Sequence, residues 1–69
     1  IKYDLPVRGL VTLNVYDILG NEIRTLVNTE QDAGEYEVKF NSDGLSSGVY
    51  FYQIISREYS RTRKMILVR

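Results

Sequence analysis

The sequence predicts an all-β protein, a small antiparallel sandwich of about six to seven short strands. Three observations predict it. Two stretches alternate apolar and polar residues with period two, the mark of a strand buried on one face. Glycine-containing turns interrupt the chain at regular spacing. Helical periodicity is nearly absent, and short strands separated by turns pack most stably as two sheets face to face.

Residues 1–5 read as a short strand stopped by Pro6, which has no N–H and suits a strand end or an edge. Residues 7–9 link it to the next strand, 11–16, where Val11, Leu13 and Val15 share one face. Residues 17–21 then break the alternation, and Gly20 is able to take the positive φ of a tight turn. A strand over about 22–28 closes a hairpin. The local alternative is a helix over 17–27, opposed by Gly20 and by the β-branched Ile23, Thr25 and Val27. The polar segment 29–34 ends that strand. Residues 35–41 alternate again, with Tyr36, Val38 and Phe40 inward and Glu35, Glu37 and Lys39 outward. A turn-rich loop follows at 42–48, with Leu45 expected to plug one end of the sandwich. Residues 49–56 are apolar on both faces, as in a central strand covered on two sides. A turn at 57–59 leads into the last strand, 61–68.

With 69 residues the chain is one domain, near the lower limit of size for folding alone. It has no cysteine and no histidine, so disulfides, thiolate zinc sites and imidazole ligands are absent from its chemistry, and no cofactor is expected. Nine basic residues balance nine acidic ones, unlike the basic excess of a nucleic-acid binder. No apolar run has the length of a membrane helix. The chain opens on Ile1-Lys2-Tyr3 without an initiator Met or a signal peptide and is expected to be a piece of something longer.

Candidate sites are few. General acid–base chemistry near neutral pH most often uses histidine, and Ser46 and Ser47 stand beside Gly48 without a nucleophile elbow or a recognisable base, so no enzyme is expected. Acidic and amide residues around Gly20 and Gly44 match no calcium-loop spacing and serve as turn residues. Of the six tyrosines, Tyr36, Tyr50 and Tyr52 are expected in the sheet packing, with Tyr16 and Tyr59 as the exposed rings. Charge is unevenly spread: Arg57, Arg61, Arg63, Lys64 and Arg69 cluster near the end, opposed there by Glu58 alone. Such a run is ordinarily a solvated strand face. Met65, Ile66, Leu67 and Val68 are expected in the core.

The succession IKYDLP, VTLNVYDILGNEIRTLV, DAGEYEVKF, LSSGVYFYQI and RKMILV resembles the C-terminal sorting domain of the type IX secretion system, nearly end to end. The resemblance implies an immunoglobulin-like sandwich, related to the Ig-like domain of the flagellar hook-capping protein. It implies a non-catalytic signal at the C-terminus of a cargo protein, recognised at the outer membrane of a Gram-negative bacterium by the translocon after transit through the periplasm. A sortase-like peptidase commonly removes such a domain, leaving the cargo secreted or at the cell surface. By the same resemblance Gly34 and Tyr36 fall in one glycine-x-tyrosine motif and Gly48 and Tyr50 in a second. The resemblance also places Lys64, Met65 and Arg69 in a basic-flanked last strand, and in the sorting reading it implies, Arg61, Arg63, Lys64 and Arg69 form an electropositive edge for the translocon to read. The family usually has a further strand upstream, which is missing here, so residues 1–69 are expected to expose an edge that pairs with a partner or a second copy. The alternative function is a structural or adhesive Ig-like module that self-assembles through edge strands, with a carbohydrate-binding module third.

Overall fold

The computed structural model describes residues 1–57 and 59–68. Its strands are β1 (Lys2–Leu5), β2 (Gly9–Tyr16), β3 (Glu22–Gln31), β4 (Gly34–Glu37), β5 (Gly48–Ser56) and β6 (Tyr59–Leu67). They form two antiparallel sheets, one of four strands in the order β3-β2-β5-β6 and one of two, β1-β4. The fold is therefore the small all-β sandwich the alternation predicts.

The core lies where the small sheet covers the large one. Val11, Leu13 and Val15, the alternate apolar residues of β2, are fully buried, as is Ile54 of β5 opposite Leu13. Tyr3 and Leu5 of β1 close over Val11, Leu13 and Ile54. Each fully buried aliphatic side chain of this kind contributes roughly 1.5–3 kcal/mol. Tyr3 also stacks on Tyr36 of β4, ring centroids 5.3 Å apart, and donates its hydroxyl to Gln31 Oε1 at 2.6 Å. Burial raises the pKa of that phenol.

The β2–β3 hairpin owes its turn to Asp17. Its carboxylate accepts the backbone N–H groups of Leu19 and Asn21, each at 2.9 Å, and the Asn21 side-chain amide at 3.2 Å. Hydrogen bonding to the anion, that of the Asn21 N–H foremost, lowers the carboxyl pKa. Gly20 takes φ 90° and donates its N–H to the Asp17 carbonyl, so the glycine expected in the turn is required there. Ile18 and Leu19 are left exposed at the tip.

Several boundaries differ from the sequence reading. β3 runs on to Gln31, through a segment whose polarity suggested a loop, because β2 supplies partners as far as Gly9 and β3 is an edge strand with a wet face. β4 ends at Glu37 instead of continuing to 41, because β1 is only four residues long and offers no partner beyond Ile1. The inward–outward alternation nevertheless persists through Phe40. Tyr59 belongs to β6, where it pairs with Ser56. β5 is central in its sheet, yet only one of its faces is covered: Ile55 is exposed, since no second layer lies beyond it. For the same reason Ile66 and Val68, expected in the core, are exposed, whereas Met65 and Leu67 on the inner face are half-buried. Tyr16 and Tyr59, expected as exposed rings, are both half-buried, and Tyr59 packs against the core.

Candidate recognition surface

The two glycine-x-tyrosine segments turn out to be one device used twice. Gly34 and Gly48 are the first residues of β4 and β5, with φ 149° and 154°, a region that residues with a side chain rarely adopt. Two residues on, each tyrosine donates its hydroxyl to a backbone carbonyl four residues upstream. Tyr36 bonds the Asp32 carbonyl at 2.6 Å and Tyr50 the Ser46 carbonyl at 2.8 Å. The glycine turns the chain into the strand and the phenol ties the strand to the loop it has just left. Residue reading alone assigned these tyrosines to packing. The equal spacing of the two motifs was the signal that they share a role.

β6 carries the remaining candidates. It pairs with β5 along its whole length, Tyr50 opposite Met65, Tyr52 opposite Arg63 and Ile54 opposite Arg61, and its other edge is free. Paired residues lie on the same face of a sheet, so Arg61, Arg63 and Met65 share the core-side face with Ile54. Lys64 points to the opposite face, opposite Phe51. The basic residues thus divide between two faces instead of forming one stripe. Arg69 lies outside the described residues.

The structure brings Arg61 and Arg63 together with Tyr36 but leaves Gly48 and Tyr50 at the far end of β5. The meeting place is a groove of about 1140 Å³ between the small sheet and the inner side of β5 and β6, open where Arg61 and Arg63 of β6 are exposed. Residues 2–6 form one wall, with Glu35, Tyr36 and Glu37 beside them, and Tyr52, Ile54 and Tyr59 join the two arginines along the floor. Lys2 and Glu37 pair across the small sheet at 3.6 Å. Among the described residues, neither Arg61 nor Arg63 has a carboxylate within ion-pair distance, and Arg61 lies 5.8 Å from the centre of the Tyr59 ring. The charge run reads in the sequence as a solvated strand face, and only the pairing with β5 shows that these two arginines lie on its core side.

Elsewhere, Arg8 bridges Glu30, at 3.1 Å, and Asp32, whose hydrogen bond is foremost in raising the guanidinium pKa. This exposed cluster joins the start of β2 to the end of β3. Among the described residues no group of three or more acidic side chains is placed to hold a metal ion, and no helix is long and apolar enough to cross a membrane.

A family model described as the secretion system C-terminal sorting domain matches residues 1–68. No curated protein and no solved structure matches the chain.

Proposed function

We propose, since this chain belongs to the family of secretion system C-terminal sorting domains, that it acts as a folded docking surface which an outer-membrane translocon reads in order to export the cargo upstream. Type IX sorting domains mark proteins that Gram-negative Bacteroidetes secrete or carry to the cell surface. The mechanism in this reading is binding, with any chemistry left to the cargo and to the sortase-like peptidase that removes the signal.

The observation that carries the reading is the character of β6. Arg61, Thr62, Arg63 and Lys64 are consecutive and exposed on a strand with a free edge. Charge on an edge discourages indiscriminate strand pairing, and it also gives a partner a definite pattern to recognise. Gly34, Tyr36, Gly48 and Tyr50 support the surface by fixing how β4 and β5 begin, and Met65 anchors β6 from the inner face.

The test is a fusion of this segment to a periplasmic reporter in a host with type IX secretion. The intact segment is expected to carry the reporter to the surface or the medium, and deletion of residues 64–69 is expected to leave it in the periplasm. A reporter that remains periplasmic with the intact segment, or that is exported after the deletion, overturns the reading.

A further inference from the structure

Of the chain's four aspartates, only Asp43 precedes a glycine. Asp17 uses its carboxylate to brace the β2–β3 turn, and Asp32 is bound by Arg8. No basic side chain among the described residues stands within ion-pair distance of the Asp43 carboxylate. Asp43 and Gly44 are the exposed central pair of a turn between β4 and β5. The Leu45 N–H closes it by donating to the Ser42 carbonyl at 3.0 Å, and Gly44 takes φ 81°. Nothing lies within 4 Å of the place a Cβ would take at Gly44, so no side chain screens its amide nitrogen from the carboxyl of the residue before it.

The main-chain carbonyl of Asp43 has a charged partner. Arg24, on β3 opposite Val15, donates from Nη2 to that oxygen at 2.6 Å. Arg24 is half-buried and has no carboxylate within ion-pair distance among the described residues, and its Nε is buried without a hydrogen-bond partner. A guanidinium is thus aimed at a neutral oxygen, although it bonds a carboxylate more strongly.

We infer that Asp43–Gly44 is a site of spontaneous conversion to isoaspartate, and that Arg24 directs the reaction to that product. The Gly44 nitrogen attacks Cγ of the Asp43 carboxylic acid. The N–Cγ bond forms, the bond from Cγ to the hydroxyl breaks, and water leaves with the amide proton. The product is a five-membered imide that holds both the Cγ carbonyl and the former main-chain carbonyl. Water then reopens the ring at one of these two carbons. Attack at Cγ restores aspartate. Attack at the main-chain carbonyl breaks the bond from that carbon to the Gly44 nitrogen and returns a proton to the nitrogen. The chain then runs on through Cγ, with a free α-carboxylate left behind. Arg24 already bonds the oxygen of this second carbon, so it polarises that carbonyl and stabilises the oxyanion that forms there. The same oxygen ends as part of a carboxylate, which gives Arg24 the ion pair that it lacks.

The folded chain is incubated in heavy-oxygen water, and fragmentation mass spectrometry separates isoaspartate from aspartate in its peptides. Each ring opening leaves a heavy oxygen either on the isoaspartyl α-carboxylate or on a regenerated Asp43 side chain. The ratio of the two labelled products therefore reads the direction of opening, whatever the rate of ring formation. Label is expected at Asp43 and not at Asp4, Asp17 or Asp32. The comparison is a capped peptide of residues 39–47, which keeps Asp43–Gly44 and lacks Arg24. The ratio of labelled isoaspartate to labelled aspartate is expected to be about two- to tenfold higher in the folded chain, the worth of one net hydrogen bond. Arg24→Met, shown folded by its circular dichroism, is expected to bring the ratio down to that of the peptide. The peptide comparison decides the matter even if that variant does not fold. A folded chain without label at Asp43, label spread over the other aspartates, or a ratio no higher than the peptide's overturns the inference. An unchanged ratio in folded Arg24→Met overturns it as well.

Discussion

Gly48→Ala isolates what the glycine-x-tyrosine device requires of the backbone. Gly48 sits at φ 154°, and a Cβ built there has no heavy atom within 4 Å. The cost is therefore conformational and not a clash. Holding a residue with a side chain in such a region costs roughly 1–3 kcal/mol, partly offset by about 0.4–1 kcal/mol from a stiffer unfolded chain. A net loss of about 1–2 kcal/mol is large here. A chain of this size has a total stability of roughly 3–10 kcal/mol at the usual range per residue. Urea unfolding followed by circular dichroism is the assay, and with a slope of about 1 kcal/mol/M the midpoint is expected to fall by roughly 1–2 M. A Gly48→Ala midpoint equal to or above that of the unsubstituted chain would refute the strain argument.

Three further outcomes are expected. Tyr50→Phe keeps the buried ring and deletes the hydroxyl bonded to Ser46, for a loss of about 0.5–1.5 kcal/mol in urea unfolding; no measurable loss would show the phenol tie to be idle. Leu13→Ala empties the centre of the core at a cost of roughly 2–5 kcal/mol, about half of the chain's stability, so at a slope of about 1 kcal/mol/M the urea midpoint is expected to fall by roughly 2–5 M. A folded Leu13→Ala with an unchanged midpoint would contradict the assignment of the core. Asp17 has a lowered carboxyl pKa in the fold, so the bonds it accepts contribute stability above the ordinary carboxylate range and lose it as pH falls through the depressed folded value. Amide exchange at Leu19 and Asn21 is expected to rise through that acid window once the intrinsic pH dependence is removed. Asp17→Ala is expected to abolish the change, and an identical pH profile in the variant would argue against the carboxylate as the brace of the turn.

Local pattern determined much of this protein. Alternation in β2 and the Asp17–Asn21 turn made the first hairpin legible, since both depend on residues close together in the chain. The order of motifs also placed the chain in its family, because family resemblance is itself a property of sequence. Extents were less legible where a strand's length depends on its partner. β4 stops at Glu37 because β1 is short, and β3 continues because β2 pairs with it, neither of which is encoded in the residues that end those strands.

Tertiary structure alone decided which way the last strand faces and what covers it. A run such as Arg61 to Leu67 alternates faces in any strand, but only the pairing of Ile54 with Arg61 and of Tyr52 with Arg63 shows that these arginines lie on the core side. Only the unequal size of the two sheets shows that this side is open there. The physical reason is that burial is a property of layers. A sequence specifies the period of a strand from its own residues, whereas the second layer above it comes from segments tens of residues away.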